Sequence, residues 1–131
     1  MTKIVFKQLR MSIKARLGRY LLTLGVDSGI VSFCVDLRIS RKDYLVLEAD
    51  GERRSLLQAA LHQPFQLQET TLSRNEQRKY LDSILHASKK ETEDFLTALD
   101  RGCANGAISN MVRITSGKDP AMMQDGMWFD R

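Results

Sequence analysis

The chain has 131 residues, 43% of them apolar and 27% charged. These are ordinary values for a globular protein and exclude a disordered chain. No apolar run approaches the roughly 20 residues of a membrane-spanning helix, and the length is that of one domain. The net charge of +4 is unevenly placed: residues 1–26 carry Lys3, Lys7, Arg10, Lys14, Arg16 and Arg19 with no acid, and the rest is near balance.

Cys34 and Cys103 are too few for a disulfide framework and are read as free, mostly buried thiols of a reducing compartment. A cytoplasmic location follows. The basic, acid-free N-terminus also has the composition of a transit peptide, which leaves organellar import as the alternative.

In chain order, the first segment carries two periodicities. Phe6, Leu9, Ile13, Leu17, Tyr20 and Leu24 form a helical stripe, whereas Leu9 to Leu17 alternate as a strand. The helical stripe is longer and uses larger side chains, so residues 3–24 are read as a helix, with room for a short strand before it. Val31, Phe33, Val35, Leu37 and Ile39 alternate with polar residues and predict a strand. After a polar turn at 40–43, residues 44–49 predict a second strand, paired with the first as a hairpin. Residues 52–62 read as a short helix closed by Pro64, and Phe65, Leu67 and Glu69 as an edge strand.

The second half changes character. Ser73-Arg74-Asn75-Glu76 and Ser88-Lys89-Lys90-Glu91 are capping boxes that each open a helix. Gly102 stops the second of these, and residues 105–114 predict one more short helix. The tail lacks periodicity. The expected fold is α+β: a small mixed or antiparallel sheet with helices in the N-terminal half and a helical C-terminal half. It is read as a single domain over 1–131, made of an α/β-containing half (1–72), a helical half (73–114) and an irregular tail (115–131).

Catalysis has no support in the motifs. The chain lacks a nucleotide-binding glycine loop, a nucleophile elbow and zinc-protease spacing. His62, His86, Cys34 and Cys103 have no ligand spacing. No catalytic residue, metal ligand or cofactor is assigned, and the chain is read as non-enzymatic.

Two features point to partners. Around residues 94–114, Ala98, Gly102, Ile108 and Met111 fall at helix-turn-helix offsets. The second helix of such a unit would present Asn105, Ser109, Asn110 and Arg113, residue types that contact base edges and phosphates. Thr97, Arg101 and Gly106 depart from that pattern, and two ordinary packed helices with a glycine stop would look the same. Lys7, Arg10, Lys14, Arg16 and Arg19 would then supply phosphate contacts; the simpler role for them is to border a buried stripe with their aliphatic stems. The second feature is the apolar tail. Met123, Met127, Trp128 and Phe129 are costly to leave exposed: the first reading is that they pack on their own domain, and the next that they form a protein interface, with a second copy or a partner groove. The expectation is a small regulatory protein, dimeric, that binds nucleic acid and specifically DNA. The alternative is an adaptor, chaperone-like or structural subunit working through protein contacts.

Overall fold

The computed structural model describes residues 2–29, 31–66 and 72–130. Its fold is α+β, with an antiparallel sheet first and helices after it. The strands β1 (Thr2–Phe6), β2 (Met11–Arg16), β3 (Arg19–Ser28) and β4 (Val31–Ile39) lie side by side in chain order. The helices among the described residues are α1 (Arg41–Ala49), α2 (Gly51–Gln66), α3 (Arg74–Leu81), α4 (Lys89–Arg101), α5 (Ala107–Ser116) and α6 (Pro120–Gln124). A 3₁₀ turn (Lys7–Leu9) follows β1, and a π-helical turn (Asp82–His86) continues α3.

Residues 3–24 are therefore strands and not a helix. Ile4, Ile13, Leu22 and Leu37 stand in one row across all four strands. The same face buries Met11, Leu24, Val26 and Ile39, which only a period of two brings together. Leu17, inward on the helical stripe, is 90% exposed. It forms with Gly18 the two-residue turn between β2 and β3, with φ of 52° and 75°. Positive φ at both central residues gives the turn whose twist matches the flanking strands.

The segment 44–49 is also the reverse of the expectation, since it belongs to helix α1. Ser40 Oγ accepts from the Asp43 amide and the Asp43 carboxylate accepts from the Ser40 amide, a capping box of the same kind as those at Ser73 and Ser88. β4 thus pairs with β3 and has no hairpin partner at 44–49. Pro64 does not close its helix; it lies inside α2, which runs on to Gln66. A proline removes one backbone donor, and so close to the end the helix loses only that bond. Phe65 is a buried helical residue rather than the start of an edge strand; Leu67 and Glu69 lie outside the described residues. The tail, expected to be irregular, contains α6, opened by Asp119 with Pro120 in its first turn.

α2 is the centre of the molecule. Leu56, Leu57, Ala59, Ala60 and Leu61 are all within 1% of complete burial, so the helix has no polar stripe along this stretch. It packs on β3 on one side and on α5, α1 and the π turn elsewhere. The sheet therefore buries its inward face on α2, and no element among the described residues packs on its outward face.

One polar cluster ties the helices beside the sheet. Asp43 is completely buried. Its Oδ1 and Oδ2 accept from the Arg78 guanidinium at 2.6 and 2.9 Å, and its Oδ1 lies 2.7 Å from His86 Nε2. The Ser40 amide donates to Oδ2 at 2.8 Å. Burial alone would raise this carboxyl, but the Arg78 bonds, the Ser40 amide and His86 outweigh it and hold the pKa at about 2. A carboxylate held below its unfolded value of 3.8 contributes stability that is complete above pH ~4 and is lost as pH falls through ~2. Between pH 5 and 2, denaturant titrations of wild type should therefore lose about 2 kcal/mol more than those of Asp43→Asn. At pH 7, Asp43→Ala should cost about 3 kcal/mol, because the guanidinium loses its buried partner and α1 its cap. Parallel acid profiles for the two proteins would contradict this role.

Candidate nucleic-acid interface

The outward face of the sheet collects most of the basic residues of the N-terminal segment. In β2, Met11, Ile13 and Ala15 point inward, so Ser12, Lys14 and Arg16 point outward. Register carries that face across the sheet: Lys3, Lys14, Leu21 and Arg38 form one row, and Val5, Ser12, Thr23 and Asp36 the next. Arg16 and Arg19 face each other at the end of the hairpin. Lys3, Lys14, Arg16, Arg19 and Arg38 are all exposed, and none forms an ion pair or side-chain hydrogen bond among the described residues. On this face Asp36 accepts from Thr23 Oγ1 at 2.7 Å, and Asp27 is taken up by Arg10.

Arg10 belongs to the same surface but is already neutralised. It sits at φ 54° after the 3₁₀ turn, and its side chain crosses Gly25, where an added Cβ would come within 3.2 Å of Nε. That path brings its guanidinium to 2.5 Å from Asp27 Oδ2. The Arg10 hydrogen bond, joined by one from Ser32, holds the Asp27 carboxyl below its usual value and in turn raises Arg10. Lys7 lies elsewhere, in a cleft of about 490 Å³ beside Phe6, Arg54, Ser55 and Thr115. Of the five basic residues singled out in the sequence, Lys14, Arg16 and Arg19 share a free surface, whereas Arg10 is paired and Lys7 is apart. Sequence reasoning passed over Arg38 and left Lys3 out of the site. The alternation of Leu37, Arg38 and Ile39 already placed Arg38 outward, but only cross-strand register shows which residues stand beside it.

The helix–glycine–helix unit is present, with a construction of its own. α4 ends at Gly102, and α5 begins after Asn105 and Gly106, both at positive φ. Gly106 has no side chain to cap α5, and the buried Asp100 of α4 does so instead: its Oδ1 accepts from the Ile108 and Ser109 amides at 3.0 and 3.1 Å. Ser109 is thereby buried and donates to the Gly106 carbonyl, so its side chain cannot reach a base edge as expected. Asn105, Asn110 and Arg113 are exposed, and Asn110 Oδ1 accepts from the Arg113 guanidinium at 2.9 Å. Ala98, the small residue meant to face the second helix, is exposed. α5 packs on α2, the helix against which the sheet buries its inward face, so these residues are on the helical side and not on the outward face of the sheet.

The tail packs on its own domain. Met123, Trp128 and Phe129 are at most 3% exposed, which withdraws them as an intermolecular interface; Met127 is half-buried. The buried Glu93 carboxylate accepts from the Trp128 and Phe129 amides at 2.8 and 3.2 Å, and Trp128 Nε1 donates to Thr97 Oγ1 at 3.0 Å. Arg53 stands over the Phe129 ring. The apolar tail was legible in the sequence, but its partner was not, because Glu93 reads as one more surface acid. Trp128→Ala should destabilise the fold by about 3–5 kcal/mol in urea denaturation and leave the sedimentation coefficient at low denaturant unchanged. A shift in oligomeric state at undiminished stability would restore the interface reading.

The two histidines and the acids beside them make contacts within the fold. Asp43, Asp82 and His86 could converge on a cation, but the Arg78 guanidinium already bridges Asp43 and Asp82, at 2.6 and 2.8 Å. His62 is buried, which lowers its pKa, and its Nε2 accepts from the Asp27 amide. It and His86 thus serve different contacts. Cys34 and Cys103 are free but exposed, in place of the buried thiols expected. No helix among the described residues is long and apolar enough to cross a membrane. No protein-family model matches the chain, and no curated protein or solved structure matches it significantly.

Proposed function

We propose that this is a non-enzymatic regulatory protein that binds DNA through the outward face of its sheet. The observation that carries the reading is the set of five exposed cations without acidic partners, Lys3, Lys14, Arg16, Arg19 and Arg38, on a face that no described element covers. Facing strands are about 4.8 Å apart, and alternate residues along a strand about 6.8 Å apart. The cations therefore form a plane of positive charge rather than a single point, suited to a polyanion. Phosphate contacts of this kind release condensed counterions and are indifferent to sequence. Asn110 and Arg113 lie on α5, on the helical side of the sheet, and are left out of this surface.

Neutralising four or five phosphates of B-DNA predicts that log K falls with log salt at a slope of about −4. Fluorescence anisotropy on a mixed-sequence duplex at several salt concentrations measures this. Replacing Lys14, Arg16 and Arg19 together with alanine should flatten the slope by about 2.7, near 0.9 per contact, with affinity reduced alike for all sequences. Arg113→Ala should bind as wild type does. Affinity that ignores salt, or a triple variant that binds like its parent, would overturn the proposal.

A further inference from the structure

The hairpin tip between β2 and β3 combines three features that work against the stability of the isolated fold. Leu17 occupies the left-handed region at φ 52°, where a branched side chain is crowded and an asparagine is at ease. Its side chain is 90% exposed, so packing does little to offset that conformation. Arg16 and Arg19 stand directly opposite each other, the position at which like charges repel across a strand pair. Both are exposed and lack an acidic partner among the described residues. Asparagine–glycine would close the same turn without the two costs at Leu17, so the turn itself does not call for a leucine there. A leucine held out into solvent between two cations suits a target with phosphates on either side of an apolar slot.

We propose that this tip is a wedge for the minor groove of duplex DNA: Leu17 enters against the base edges while Arg16 and Arg19 take phosphates of the two bordering strands. The inference rests on the sheet face being a nucleic-acid surface and names how that surface engages its target. Facing residues on paired strands are about 5 Å apart, and the minor groove is about 6 Å wide. One leucine side chain fills such a slot, and the arginines reach outward over its walls. An apolar wedge of this kind partly unstacks a base step and kinks the duplex. A duplex is favoured over a single strand because the outward face has no aromatic platform. Phe6, Tyr20 and Phe33 belong to the inward face, and the other aromatic residues lie on helices or in the tail; single-strand binding draws much of its energy from stacking on such rings.

The decisive variant is Leu17→Asn, which relieves the turn while removing the wedge. Two readouts accompany binding: fluorescence of a 2-aminopurine duplex for unstacking, and end-to-end energy transfer for bending. Wild type should unstack and bend the duplex and bind it more tightly than the single strand of the same sequence. Leu17→Asn should melt a few degrees higher, keep the salt slope, lose both distortion signals and bind about tenfold more weakly. If it distorts and binds the duplex as wild type does while Arg16→Ala plus Arg19→Ala still weakens binding, the wedge is wrong and the sheet-face reading stands. If wild type binds no nucleic acid at low salt, both fail. Tighter binding to the single strand, or binding to anionic vesicles in place of DNA, would also overturn the wedge.

Discussion

A helix whose middle turns are buried on every side needs a neighbour on every side, and α2 is such a helix. Its central residues are within 1% of full burial, so every layer of the molecule is arranged around it. The sheet supplies one wall, α5 another, and α1, α3 and the π turn close the remainder. One helical layer covers the inward face of the sheet, and no element among the described residues lies over the outward face. Strand alternation then puts polar side chains on that face, and in this chain five of them are Lys3, Lys14, Arg16, Arg19 and Arg38. The free basic surface thus lies on the side of the sheet away from α2.

Around that core, buried carboxylates set the geometry. Asp43 holds Arg78 and His86 and opens α1. Asp100 opens α5 from the preceding helix, and Glu93 gathers the amides of the tail. Each acid is withdrawn from water and given donors on a different element, which makes the match between elements specific as well as stable. The π turn after α3 follows the same logic: its Ser83 and Ile84 carbonyls are met by Thr92 and Arg53 side chains. A substitution at any of these acids would leave buried amides or a guanidinium without an acceptor, which is more damaging than the loss of a surface pair.

Much of this was legible residue by residue. The capping boxes at Ser73 and Ser88, the alternation from Val31 to Ile39 and the stop at Gly102 appear as read, because each signal is complete within a few residues. The box at Ser40-Arg41-Lys42-Asp43 was equally local but closed with aspartate, and its polar residues passed for a turn. Residues 3–24 satisfied two periodicities at once. No local rule separates them, since what decides is the row from Ile4 to Leu37 that only the assembled sheet forms. Leu17-Gly18 misled for a related reason: a leucine at positive φ is a costly turn residue, and local propensity argues against placing a turn there.

The candidate surface divides along the same line. The charge asymmetry of the first 26 residues, the apolar tail and the α+β class were all contained in the order of residues, since composition and period need no partner to be read. Tertiary structure decided which cations share a face, that Arg10 spends its charge on Asp27, that Arg38 joins the patch from a distant strand, and that Trp128 and Phe129 are covered by their own domain. Those outcomes depend on register and on which acid meets which base, and both are set by packing between segments far apart in the chain.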